Sequence, residues 1–284
     1  MSTIESDLAL LRTAALFDLS TAEGRKESVS RLRALFYRLH EIAQPRTVFE
    51  IGAKEATFSR TVRQLLPEAR VIAFEANPFV FNKQRKASDP TNDGVDYRNL
   101  AICGHTGTTT FYVQTVRHGR PVKPTLGSNS LLNRLGNVET MELQVPCTRV
   151  DDFIAGEAIT GPLSAWIDVE GALSLVMAGL EGVLDDFQMI FCEVEDVVVW
   201  DGQWTWRAVQ EFMAKHGFHA VARDFQSAGQ NNVVFLHEKL MFRADVRDAL
   251  AQFFSGVAWP LKEVEVDSTW RPWGEDREGF RAGS

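Results

Sequence analysis

Residues 47–78, TVFEIGAKEATFSRTVRQLLPEARVIAFEANP, constrain this chain more than any other stretch. A short apolar, β-branched run at 47–51 is bounded by Pro45 and Gly52, which predicts a buried strand. After a turn, Phe58, Val62, Leu65 and Leu66 recur at helical spacing until Pro67 stops them. A second apolar run, 71–74, ends on Glu75. Strand, glycine-bearing turn, helix, strand and terminal acid describe a βαβ unit of the nucleotide-binding type, with the acid about 20 residues past the turn, where such units accept ribose hydroxyls.

The turn argues against a pyrophosphate. A dinucleotide site uses G-x-G-x-x-G so that backbone N–H groups can approach the phosphates. Here Gly52 stands alone, Lys54, Ala56 and Thr57 fill the neighbouring places, and Glu50 and Glu55 flank the turn. A cationic, phosphate-free ligand such as S-adenosylmethionine fits this charge pattern better. A nucleotide-type unit that binds nothing is the plain alternative.

Beyond this unit, the ordered segments VFEIGAKEATFS, VIAFEANP, YRNLAICGHTGTTTFYV, VPCTRVDDFI, AWIDVEGALSLVMAGL and MIFCEVE span roughly residues 45–238. They resemble the FkbM family of S-adenosylmethionine-dependent methyltransferases, with WIDVEGA and FEANP the most specific pieces. The resemblance implies methyl transfer and S-adenosylmethionine as cofactor. It also implies contacts to that cofactor from Glu50, Gly52, Ala53, Glu75, Ala76, Asn77, Asn99, Ala101 and Asp168. The family's first turn usually reads G-A-N-x-G. This chain has Lys54 for the Asn and Ala56 for the second Gly; a left-handed backbone at Ala56 would cost about 1 kcal/mol.

The chain of 284 residues is 45% apolar and carries a net charge of −8, which argues against a nucleic-acid footprint. No apolar run is long enough to predict a membrane span. Glu5 and Asp7 stand where a signal peptide would be basic, and a cytoplasmic location is expected. Cys103, Cys147 and Cys192 show no metal-binding spacing, so they are read as reduced and buried, and no protein-bound metal site is assigned.

Three domains are expected: an N-terminal helical extension (1–44), a Rossmann-like methyltransferase domain (45–238) and a C-terminal helix with tail (239–284). In the extension, Ile4, Leu8, Leu11 and Ala15 share one helical face, and Val29, Leu32, Leu35, Leu39 and Ile42 another. These helices form a lid, an oligomer surface or simply a layer on the sheet. Strands are predicted at 95–102, 164–169, 189–194, 218–224 and 232–237, completing seven in a doubly wound α/β sheet of the class I methyltransferase type. Two further strands, 108–113 and 141–145, flank a loop carrying Arg117, His118, Arg120, Lys123 and Arg134 with no acid. That loop is either a clamp for a sugar or phosphate-bearing acceptor or a solvated basic hairpin. A terminal helix, 239–254, precedes Trp259, Trp270 and Trp273, read as docking residues.

Chemistry is expected where strands end. Asp168 and Glu170 are two apart, so an extended backbone points both to one side. Glu193 and Glu195 repeat the pattern. These acids supply a base for a hydroxyl acceptor, hold a divalent ion, or cap neighbouring backbone, with Glu170 opening the next helix. His105 is a further candidate base. The leading expectation is O-methylation of a sugar or secondary-metabolite hydroxyl. A nicotinamide-dependent oxidoreductase and a non-catalytic partner subunit are the alternatives.

Overall fold

The computed structural model describes residues 3–227 and 229–256. Two helices, α1 (Thr3–Ala14) and α2 (Ala22–Ala43), precede the first strand. Thr21 starts α2 by accepting the Gly24 N–H, and Gln44 ends it in the left-handed conformation. The βαβ unit follows as β1 (Thr47–Ile51), α3 (Thr57–Leu65) and β2 (Arg70–Phe74). Next come α4 (Pro78–Ala87), capped by Asn77, then β3 (Asp96–Arg98) and β4 (Ala101–Ile102). The middle of the chain forms β5 (Gly107–Arg117), β6 (Arg120–Pro121), β7 (Val138–Thr148) and α5 (Val150–Gly156). Alternation resumes with β8 (Leu163–Ile167), α6 (Leu173–Leu180), β9 (Phe187–Glu195) and α7 (Trp206–Lys215). The described chain closes with β10 (Phe218–Arg223), β11 (Gln230–His237), α8 (Glu238–Met241) and α9 (Ala244–Phe254).

Seven strands form one sheet in the order β10-β11-β9-β8-β1-β2-β3. Every pairing from β9 to β3 is parallel, and β11 runs antiparallel to both its neighbours. From β1 the chain steps outward through β2 to β3, then returns to place β8 on the other flank of β1. This reversal opens a crevice at the carboxyl ends of β1 and β8, where ligands of doubly wound sheets bind. The period-two alternation of strand side chains divides the core. Val48, Val71 and Phe191 pack against Leu35, Leu39, Phe58 and Phe253 on one face. Phe49, Ile51 and Ile190 meet Leu10, Ile154, Val176 and Met213 on the other. The helices before β1 are therefore part of the layers that cover the sheet.

Three local expectations change. Among the described side chains of α1, Ser6, Leu10 and Thr13 are buried, while Leu8 and Leu11 face solvent. Thr13 Oγ1 donates to Ala9 O, and Asp7 accepts from Gln210. The strand expected at 95–102 is broken at Asn99 and Leu100, and β4 joins a second sheet of order β4-β7-β5-β6. The helix expected at 239–254 is interrupted at Phe242 and Arg243. Trp259, Trp270 and Trp273 lie outside the described residues.

Candidate active site

A cavity of about 280 Å³ opens where the crevice was expected, walled by the ends of β1, β2, β4 and β8 and by part of the segment between β6 and β7. Its first half is the turn after β1. Gly52 and Ala53 both donate to Phe74 O, at 3.0 and 2.9 Å, which folds the turn onto β2. Gly52 takes φ 83°, and a Cβ there would come 1.8 Å from Asp168 O, so no other residue fits. Lys54 and Ala56 are also left-handed, at φ 47° and 56°, without glycine's freedom. What holds them is visible. Lys54 N donates to Glu75 Oε2 at 2.8 Å, Lys54 O accepts from the Tyr97 hydroxyl at 2.7 Å, and Ala56 N donates to Ala53 O.

Two buried acids serve this half. Glu50 accepts from Ser59 N at 2.9 Å, so a strand side chain caps α3, whose N-cap residue, Ala56, offers no side-chain cap. Glu75 accepts from Lys54 N and, at 2.6 Å, from Asn77 N. Burial pushes both carboxyls up to about 7 against these hydrogen bonds. Glu75 keeps lone pairs beyond those two bonds. Asn77 lines the cavity, but its amide is committed: Oδ1 caps α4, and Nδ2 donates to Pro124 O at 2.8 Å.

The second half is the turn after β8. Asp168, Glu170 and Glu193 bring carboxylate oxygens within 4.8 Å of one another. Burial raises all three, while the charges of Arg33 and Lys54 oppose the rise at Asp168. Glu193 Oε1 accepts from Gln230, but Oε2 is buried with no hydrogen-bond partner among the described residues. Burial pushes Glu195 up to about 7, against the lowering influence of the nearby Gln203 amide, Arg134 charge and Gly171 backbone. Gly171 is left-handed, and Trp200 packs so closely that a Cβ would lie 2.2 Å from it.

The structure brings Glu50, Gly52, Ala53, Glu75, Ala76, Asn77, Ala101, Asp168 and Glu170 to one cavity. It corrects the rest. Asn99 is not on the wall; its Nδ2 holds Glu75 O and Ala76 O from behind at 2.7 and 3.3 Å. His105 sits in the second sheet beside Cys103 and Cys147, away from the cavity. Glu170 is left-handed at φ 49° rather than extended, and α6 begins at Leu173 with no side-chain cap, so Glu170 does not open that helix. The basic residues of 117–134 leave the cavity to uncharged neighbours. Leu126, Gly127, Asn129, Ser130 and Leu131 form the wall, while Arg134 stacks on Trp200 at 4.9 Å. Asn129 fixes that cover by accepting Gln114 N and donating to Pro124 O and Leu126 O. Sequence reasoning missed Arg33 and Tyr37 of α2 and Trp166 of β8, all on the wall. The i, i+4 spacing of Arg33 and Tyr37 was their one available signal.

Residues 44–220 match the methyltransferase FkbM domain, more than half of the chain. The chain belongs to the FkbM methyltransferase family. A curated relative, the 2-O-methyltransferase NoeI of Sinorhizobium fredii (strain NBRC 101917 / NGR234), is 25% identical over 225 residues, 77% of this chain and 91% of that protein. Among solved structures, magnesium protoporphyrin IX methyltransferase (ChlM) from Synechocystis PCC 6803 with bound SAM aligns at TM-score 0.41 and 7% identity, covering 75% of this chain and 80% of that one. The precorrin-6y C5,15-methyltransferase of Geobacter metallireducens GS-15 aligns at TM-score 0.36 and 13% identity, over 67% and 78%.

The cavity suits the family's cofactor. Glu50, Glu55, Glu75, Asp168 and Glu170 face it against only Arg33 and Lys54, and a bound sulfonium and ammonium would relieve the buried acids. Phe74, Leu100, Ile102 and Ala172 add an apolar wall beside Glu75. This FkbM protein is an S-adenosylmethionine-dependent methyltransferase.

Proposed function

We propose that the enzyme methylates a hydroxyl oxygen of a sugar or secondary metabolite, with Asp168 as the group that receives the hydroxyl proton. S-adenosylmethionine supplies an electrophilic methyl on a sulfonium. The chain's share is to hold donor and acceptor in line and to move one proton. In this reading Glu75 would accept the ribose hydroxyls, and Gly52, Ala53, Ala76 and Ala101 would hold the rest of the cofactor. Asp168 takes the proton as the new O–C bond forms and the S–C bond breaks, and hands it through Glu193 toward solvent.

The observation that carries this reading is the group of buried Glu170 with half-buried Asp168 and Glu193, whose Oε2 has no hydrogen-bond partner among the described residues. A site that merely aligned its reactants would have no use for three carboxyls raised by burial beside it. The 2-O-methyltransferase activity named for NoeI supports oxygen as the acceptor atom. The same three carboxyls favour a second reading, in which they hold a divalent cation that acidifies the hydroxyl.

One assay separates the readings. Labelled methyl transfer is followed over a panel of mono- and oligosaccharides and phenolic metabolites, with and without a chelator. Product labile to O-demethylation and indifferent to chelator supports Asp168 as base. Activity lost to chelator and restored by magnesium supports the ion. Product carrying the methyl on nitrogen contradicts both.

A further inference from the structure

The turn between β4 and β5 brings Cys103 and His105, two residues apart, together with the distant Cys147, a group of three metal-ligating side chains outside the cavity. Cys103 follows β4, Cys147 lies on β7 beside it, and His105 sits in the turn that joins β4 to β5. One ligand atom from each lies within 4.8 Å of the others. Both thiols are buried and the imidazole is exposed. The geometry points to a zinc site formed by Cys103 Sγ, Cys147 Sγ and His105 Nδ1, with a fourth position open to solvent on the exposed side of His105.

The distances carry the assignment. Zn–S of about 2.3 Å and Zn–N of about 2.0–2.1 Å at tetrahedral angles give a sulfur–nitrogen edge of roughly 3.5 Å. Cys103 Sγ stands 3.6 Å from His105 Nδ1. The other ring nitrogen, Nε2, lies 3.0 Å from Thr108 O, the backbone-carbonyl support that fixes the tautomer of metal-ligating histidines. With Nε2–H committed there, Nδ1 is the ligand. The donor set selects the ion. Two thiolates and an imidazole suit zinc, whereas magnesium and calcium need oxygen. Without metal, both sulfurs make only long contacts, all to His105: Cys103 Sγ reaches its O at 3.3 Å and Nδ1 at 3.6 Å, and Cys147 Sγ reaches Nε2 at 3.4 Å and O at 3.6 Å. Zinc here would tie the β4–β5 turn to β7, directly behind Ala101 of the cavity wall.

Cobalt(II) and zinc titrations of the full-length protein test this, after reduction with a phosphine and under anaerobic conditions. The expected result is a thiolate-to-cobalt charge-transfer band that saturates at one equivalent and is abolished by one equivalent of zinc. Cys147→Ser should remove the band. His105→Asn alters an exposed side chain and spares the fold. It should weaken zinc more than about 100-fold, beyond the usual cost of losing a supporting partner. Zinc should raise the melting temperature of the wild type and not of His105→Asn. Cobalt bound only by the carboxyls of the cavity gives no thiolate band and overturns the assignment. So does a band that survives both substitutions. So does a Cys103–Cys147 disulfide, formed on mild oxidation, in a reduced protein that binds neither metal.

Discussion

Two turns meet at the cavity, and both are lined with buried acids, but the acids are treated differently. After β1, the carboxylates of Glu50 and Glu75 are each met by backbone N–H groups: Ser59 N for one, Lys54 N and Asn77 N for the other. After β8, Asp168, Glu170 and Glu193 face one another, and one oxygen of Glu193 has no donor among the described residues. Hydrogen-bonded acids organise backbone. They fix a strained turn and a helix start, and leave spare lone pairs for a ligand. Acids that crowd each other hold protons that are easily moved. On the function proposed above, the first turn would bind and the second would transfer the proton. Gly52 makes the two halves one site, because only its missing Cβ lets β1's turn lie against Asp168 O.

Substitutions can break this contrast. The largest effect is expected from Asp168→Asn, which should lower turnover about 10²-fold or more, the scale of a general base. A steady-state assay with the true acceptor checks it, and near-normal turnover would remove Asp168 from the chemistry. Glu50→Ala should act on the fold instead, leaving Ser59 N–H without its acceptor and costing about 1–2 kcal/mol, the range of a lost helix cap. Glu50→Gln should recover most of that loss in denaturant melts, since Gln still accepts. Equal losses for both variants would show that the charge, not the cap, is what matters.

Ala56→Gly is expected to be smaller and of opposite sign. At φ 56° glycine relieves a left-handed alanine, so stability should rise by up to about 1 kcal/mol. Cofactor affinity should move less than about threefold, a few tenths of a kcal/mol on the strain scale at stake. A large gain in affinity would mean that Ala56 holds the turn away from its binding shape. The gentlest test is pH. Glu50, Glu75 and Glu195 are raised from 4.5 to about 7 in the fold, so between those values the folded chain binds more protons than the unfolded one. Stability of the cofactor-free protein should therefore fall as pH rises from about 4.5 to about 7 and then level off. A melting temperature that climbs over this window would contradict the buried, raised carboxyls.

Much of this was legible from spacing. Six of the seven strands of the main sheet lie where apolar runs predict them, because a strand covered on both faces must be apolar along its length, and the exception is the edge strand β3, Asp96–Arg98. Glu75 and Asp168 could be placed because they end such runs. Other features were hidden for physical reasons. The backbone angle of Ala56 is imposed by Glu75 and Tyr97 from elsewhere, through Lys54. Arg33 and Tyr37 reach the cavity only because α2 packs on the sheet, and no local pattern records that. Asn99 read as a ligand contact because it ends β3, yet a side chain one residue out of register turns behind the wall. The loop at 117–134 reads as basic, but its fold is set by Asn77 and Asn129 gripping Pro124, which brings its neutral residues inward.

The division between binding and chemistry is tested most directly by calorimetric titration of S-adenosylhomocysteine into the wild type, Glu75→Ala and Asp168→Asn. Glu75→Ala removes charge-assisted hydrogen bonds worth about 1.5–3 kcal/mol, so its affinity should fall at least tenfold. Asp168→Asn should bind within about threefold of the wild type while losing turnover, because its part lies in proton transfer rather than in holding the cofactor. If both variants lose affinity equally, or if Glu75→Ala binds as well as the wild type, the two turns do not divide the work.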